Sequence, residues 1–156
     1  MVYVFDSSSF IVIGHYFPDN FPSFWQLFDY ATSERQIVSV REAYRELDTN
    51  ATRQHLLDWV NRNKEIFLVP SPEEMQFVAE IFSVRHFQQI IDEKHRLTAS
   101  PVADPFIVAS AKVRNACVVT EESFKKNSAR IPNVCDHYGI EWVTVQGFMD
   151  KEQWRF

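Results

Sequence analysis

Five short, mostly apolar runs, each set off by a stretch of helical character, constrain this chain more than any other feature. They lie at residues 2–5, 36–40, 66–69, 117–119 and 141–145 and are rich in Val, Ile, Phe and Tyr. Runs of this length with β-branched and aromatic residues read as strands buried on both faces. Such strands, separated by helices, build a parallel sheet that helices must cover on both sides. The expectation is an α/β fold, a three-layer α/β/α arrangement around a parallel sheet of four to five strands. At 156 residues the chain reads as a single domain over 1–156.

The intervening segments carry helix signals. Phe21, Phe24, Trp25, Leu27, Phe28 and Ala31 recur at a helical period, and Leu56, Leu57, Trp59 and Val60 mark another amphipathic segment. Residues 42–47 have helical character directly after the second strand. Ser71-Pro72-Glu73-Glu74 places Ser71 at the N-cap, Pro72 at the first helical position and Glu74 at the third, a capping box. Asp104-Pro105 opens a mostly apolar helix through Val113. Because proline disfavours α geometry in the residue before it, Asp104 is the expected cap. Residues 132–137 form a short helix stopped by Gly139.

Composition removes several function classes. The three glycines, Gly14, Gly139 and Gly147, cannot spell either glycine-rich phosphate loop. The net charge of −5 is unlike that of a protein that coats nucleic acid, so any such role is local. Apolar stretches such as residues 106–111 fall far short of the ~20 residues of a membrane span. The opening Met1-Val2-Tyr3-Val4-Phe5-Asp6 lacks a basic region before its apolar run. The expectation is a cytoplasmic protein, with no membrane, in which Cys117 and Cys135 are free thiols.

The acids fall at strand ends. Asp6 follows the first strand, Glu42 and Glu46 lie i, i+4 on the helix after the second, and Glu121 and Glu122 follow the fourth. Asp104 starts a helix that enters the fourth strand. In a doubly wound sheet these points converge on the carboxyl edge, where ligands bind at the switch in strand order. Crowded carboxylates repel unless a cation neutralises them. Mg²⁺ and Mn²⁺ prefer such oxygen ligands, and one or two of them activate water and stabilise charge on a phosphodiester.

Four blocks carry a family resemblance. They are Val4-Phe5-Asp6-Ser7-Ser8-Ser9-Phe10-Ile11, Val40-Arg41-Glu42-Ala43-Tyr44-Arg45-Glu46-Leu47, Ala103-Asp104-Pro105-Phe106-Ile107-Val108-Ala109-Ser110-Ala111 and Ala116-Cys117-Val118-Val119-Thr120-Glu121-Glu122. In this order the chain resembles a PIN domain, the metal-dependent ribonuclease fold of VapC-type toxins, in a compact bacterial branch opening D-[ST]-S-[SA]-[FW]-I. The resemblance implies a Mg²⁺- or Mn²⁺-dependent endoribonuclease, the toxin of a type II toxin–antitoxin pair, with RNA as substrate, a cognate protein antitoxin and a homodimer. It implies Asp6, Glu46, Asp104 and Glu122 as catalytic metal ligands, Ser8 and Thr120 as their supports, and no side-chain nucleophile. Two departures stand. The family's fourth acid is usually aspartate, and Glu42 shares a face with Glu46 and either supplements or replaces it. The alternative is a catalytically silent module used for binding or assembly.

Each residue also has a plainer role. Asp6 suits a turn, Asp104 a cap, and Glu42 and Glu46 a solvated face paired with Arg41 and Arg45. His15, His55, His86, His95 and His137 show no ligand spacing. Phe17, Phe21, Phe24, Trp25 and Phe28 suit a core or a partner face. Arg41, Arg45, Lys112, Arg114, Lys125, Lys126 and Arg130 form a basic set able to guide RNA. Phe148, Met149, Trp154 and Phe156 either pack back on the domain or dock a partner.

Overall fold

The strand nearest the N-terminus lies at the centre of the sheet. In a computed structural model that describes residues 1–90 and 103–156, β1 (Tyr3–Phe5), β2 (Ile37–Val40), β3 (Phe67–Leu68), β4 (Cys117–Val119) and β5 (Trp142–Val143) form one sheet in the order β3-β2-β1-β4-β5. All pairings are parallel: Val4 lies beside Val38 and Val118, Val40 beside Leu68, and Val119 beside Val143. Helices flank this sheet, giving the three-layer α/β/α fold.

Alternation along β1 divides the core into two layers. Tyr3 and Phe5 point to one side, where Phe5 meets Phe10 and Phe28 at 5.5 Å and Phe148 at 5.2 Å between ring centroids. Those rings come from α1 (Ser7–Ile13), α2 (Pro22–Ser33) and a C-terminal helix, Val145–Lys151. The edge-to-face geometry of Phe148 on Tyr3 and Phe5 is a favourable arrangement for aromatic quadrupoles. The apolar C-terminal segment therefore packs back on the domain, although Phe156 stays exposed.

The other connections follow the sequence closely. After β2 come α3 (Arg41–Asn50) and α4 (Gln54–Arg62), and after β3 comes α5 (Pro72–Ser83). Helix α6 (Asp104–Arg114) covers β1, β2 and β4 and packs on α5. Then α7 (Ile131–Tyr138) follows β4, and α8 (Val145–Lys151) follows β5. Ser71 does cap α5, accepting from the Glu74 amide at 3.1 Å. Gly139 ends α7 with φ +67°, a left-handed conformation that glycine adopts without a Cβ penalty.

Two expectations need correction. Ala103, not Asp104, occupies the N-cap of α6, with helical φ and ψ and no side-chain cap. Asp104 sits one residue later, inside the first turn, which leaves its carboxylate to other partners. The second half of the capping box is also replaced, because the Glu74 carboxylate pairs with Arg114 at 3.3 Å across the α5–α6 interface. The Glu74 side chain is 2% exposed and Arg114 is 33% exposed, so this carboxylate is turned into the interface toward Arg114. His95 and the polar stretch 94–100 lie outside the described residues.

Candidate functional site at the carboxyl edge

The order in which strands are added reverses between β1 and β4, since β2 and β3 are laid down on one side of β1 and β4 and β5 on the other. Asp6 stands at that crevice. Its amide donates to the Val119 carbonyl at 2.9 Å, and its carboxylate caps α1 by accepting from the Ser7 amide at 2.8 Å. The second carboxylate oxygen accepts from Ser8 Oγ at 2.8 Å and from Thr120 Oγ1 at 3.2 Å. Asp6 is 2% exposed, and among the described residues no Lys or Arg pairs with it. A carboxylate has about four lone-pair sites, so three neutral donors hold this one in a fixed orientation with capacity left over.

Neighbouring acids are arranged around it. Ser7 ties Asp6 to Glu46, because its amide serves Asp6 while its hydroxyl donates to Glu46 Oε2 at 2.6 Å. The other Glu46 oxygen accepts from the Ala103 amide at 3.1 Å, next to Asp104. Glu42, one turn earlier on α3, is 4% exposed. Its Oε1 meets Arg41 at 2.9 Å, and its Oε2 is buried with no hydrogen-bond partner. The solvated-face reading of Glu42 and Glu46 is therefore wrong, since both are buried.

The two glutamates after β4 behave as structural caps. Glu121 Oε1 accepts from the Val145 amide at 2.7 Å, at the start of α8. Glu122 Oε2 accepts from the Ile131 amide at 2.9 Å, at the start of α7. Negative charge at these helix starts satisfies an orphan amide and complements the dipole. The reach past Thr120 that was expected to aim Glu122 at an ion thus commits one of its oxygens to α7. Thr120 Oγ1 accepts from the Glu122 amide at 3.1 Å while donating to Asp6 at 3.2 Å.

Donor chemistry and geometry give different answers on a metal. The set Asp6, Glu42, Glu46 and Asp104 offers hard oxygens, and the unpartnered Glu42 oxygen suits a cation. Among the described residues, however, no three His, Cys, Asp or Glu converge to hold an ion. The arrangement fits Mg²⁺ held through one or two carboxylates with water or substrate oxygens completing its shell, the usual way this ion is bound. It does not fit a protein-only cage.

A cavity of about 350 Å³ is lined by two of the acids, Asp104 and Glu122, together with Lys125, Lys126 and Arg130. The rest of the expected basic set is dispersed. Lys112 and Arg114 end α6 at the opposite edge of the sheet, where Arg114 is taken by Glu74. Arg41 is taken by Glu42. Sequence reasoning missed Ser7 as the link between Asp6 and Glu46; its adjacency to Asp6 is the only signal that marked it.

The buried thiols take no part. Burial pushes Cys117 up to about 12 and Cys135 higher still, and both are free.

Comparison with known proteins decides the family. A family model described as "Domain of unknown function (DUF4411)" matches residues 3–156. The chain belongs to DUF4411. This overturns the PIN assignment, because the family model that matches the chain is DUF4411. The crystal structure of PAE2754 from Pyrobaculum aerophilum resembles this DUF4411 chain at 12% identity, with a TM-score of 0.46, over 97% of this chain and 96% of that one. No curated protein matches the sequence.

Proposed function

We propose that the chain is a divalent-metal-dependent endoribonuclease that hydrolyses RNA phosphodiester bonds at the crevice between β1 and β4. The observation that carries this reading is Asp6, a carboxylate 2% exposed at the strand-order switch, held by Ser7, Ser8 and Thr120 and, among the described residues, paired with no cation. Burying a lone carboxylate is costly, and a site that binds Mg²⁺ or Mn²⁺ explains why one is kept. Asp6 and Glu42, with Glu46 and Asp104 beside them, would hold the ion. When bound, it supplies Lewis-acid stabilisation of phosphodiester charge and an activated water.

The chain's own residues then have positioning roles. Ser8 and Thr120 fix the plane of the Asp6 carboxylate, and Ser7 couples it to Glu46 so that the two acids move together. No side-chain nucleophile is assigned. Lys125, Lys126 and Arg130 lining the cavity suit a polyanionic substrate. Among the described residues no helix is long and apolar enough to cross a membrane. The two free, buried cysteines support a reducing, cytoplasmic setting. The toxin role, the antitoxin and the homodimer entered only through the PIN resemblance and lose that footing with it.

The catalytically silent module remains the second reading, favoured by one observation: Glu121 and Glu122 each spend an oxygen on a helix start, and among the described residues no three acids converge. The deciding experiment incubates purified protein with RNA and with DNA of the same sequence, in Mg²⁺, in Mn²⁺ and in EDTA, beside Asp6→Asn. Discrete RNA fragments that disappear with EDTA and with Asp6→Asn support the nuclease. Equal behaviour of wild type and Asp6→Asn in both metals supports the silent module.

A further inference from the structure

Residues 123–130, between β4 and α7, are built differently from an ordinary surface loop. Two hydrogen bonds clamp it to α7, the Lys125 amide on Asn133 Oδ1 at 3.3 Å and Asn133 Nδ2 on the Lys125 carbonyl at 2.7 Å. A turn closes it, with the Ser128 amide on the Lys125 carbonyl at 3.0 Å and Asn127 at φ +63°. Arg130 Nη1 reaches back to Ser123 Oγ at 3.3 Å, and His86 Nε2 lies 3.1 Å from the Ser128 carbonyl. The backbone is held from both sides.

What this frame presents is unusual for a chain of net charge −5. Lys125, Lys126 and Arg130 occur within six residues, line the same cavity as Asp104 and Glu122, and form no ion pair among the described residues. Lys125 and Lys126 are exposed and adjacent in the chain, and an anion bridging them would relieve their mutual repulsion, while Asp104 and Glu122 bring negative charge to the same cavity. Next to them Phe124 is 53% exposed and touches no other ring among the described residues, whereas the rings of the core pack on one another. An exposed ring beside lysines is the pairing by which single-stranded nucleic acids are held, base on ring and phosphate on cation.

We infer that residues 123–130 form a nucleotide-binding subsite for a single-stranded RNA, with Phe124 stacking a base and Lys125 and Lys126 holding the adjoining phosphates. Arg130 keeps the loop in shape and adds positive charge at the cavity. The inference rests on the nuclease reading for its substrate, and it gives that substrate a fixed position relative to Asp104. It also requires binding in the absence of any metal, which the nuclease reading by itself does not.

The test is therefore made in EDTA, where nothing is cleaved. Fluorescence anisotropy of a labelled single-stranded RNA is measured for wild type, Phe124→Ala, Phe124→Trp and the double variant Lys125→Gln/Lys126→Gln, with far-UV circular dichroism as the folding control. Phe124→Ala is expected to weaken binding about tenfold, within the range for loss of one stacked base, at unchanged salt dependence, and Phe124→Trp to restore it. The double lysine variant is expected to lower the slope of log affinity against log salt by about 1.4, or ~0.7 per phosphate contact on a single strand. Heparin, a polyanion without bases, should lose affinity for the lysine variant but not for Phe124→Ala. Wild-type affinity in the Phe124→Ala and lysine variants, equal loss of heparin binding in Phe124→Ala, or no RNA binding by wild type overturns the subsite. Failure of cleavage alone, with these binding effects intact, overturns the nuclease reading and leaves the subsite standing.

Discussion

Replacing Thr120 with valine removes one hydroxyl and almost nothing else, because the two side chains have nearly the same shape. Thr120 is fully buried, and its Oγ1 makes two bonds that valine cannot: it donates to Asp6 Oδ2 at 3.2 Å and accepts from the Glu122 amide at 3.1 Å. A hydrogen bond to a charged group contributes about 1.5–3 kcal/mol, and a buried amide left without an acceptor costs about 1–3 kcal/mol. The Glu122 amide is only partly buried and recovers some of its loss from water. The sum for Thr120→Val is then about 2–4 kcal/mol. Urea denaturation at pH 7 reads this as a lower midpoint at unchanged slope. A double-mutant cycle with Asp6→Ala isolates the hydroxyl–carboxylate part, with an expected coupling of about 1.5–3 kcal/mol. A single-variant cost below about 0.5 kcal/mol, or a cycle that closes with no coupling, would refute the view that Thr120 holds the Asp6 carboxylate in place.

Three further outcomes follow from the same geometry. Ser9 Oγ is buried without a partner, so Ser9→Ala removes an unpaid desolvation and should raise stability by about 1 kcal/mol, read as an increase in the urea midpoint. Phe148→Ala strips edge-to-face contacts with Tyr3, Phe5 and Trp154 and should cost about 3–5 kcal/mol, measured in the same way. The thiol of Cys117 is protonated in the folded state up to about 12, above its ordinary value of 9.0, because burial disfavours the thiolate. The unfolded chain therefore loses this proton first, and stability falls as pH rises from 9 toward 12, by at most about 1.4 kcal/mol per pH unit for that group. Ellman's reagent at pH 8 should find both cysteines slow to react until the protein is unfolded.

The fold was legible because hydrophobic pattern and strand length both reported on burial. Tyr3-Val4-Phe5 and Cys117-Val118-Val119 are apolar on both faces, and only a central parallel strand buries both. What pattern did not report was side-chain direction. Asp104 before Pro105 has the sequence of a cap, yet it is already the first residue of the helix, and Ala103 takes the N-cap. Glu121 and Glu122 stand where site acids would stand, but each reaches a helix start formed by a distant segment, Val145 and Ile131. Those amides are invisible from the local sequence. The helix Ser7–Ile13 was hidden in the same way: it is short, its cap is Asp6, and the serines that follow are weak helix formers whose hydroxyls are spent on Asp6 and Glu46. The family likeness rested on four short blocks around acids at strand ends, whereas the family model that decides against it matches residues 3–156.

The account stands on the claim that the buried Asp6 carboxylate exists to hold a divalent ion. Electron paramagnetic resonance titration of Mn²⁺ tests this without reference to any substrate, because bound ion leaves the free-ion signal. Wild type should remove Mn²⁺ from that signal in a saturable way, Asp6→Asn should weaken the binding at least about tenfold, equivalent to about 1.4 kcal/mol, and Mg²⁺ should compete. Identical isotherms for wild type and Asp6→Asn, or no binding by wild type at millimolar Mn²⁺, would contradict it.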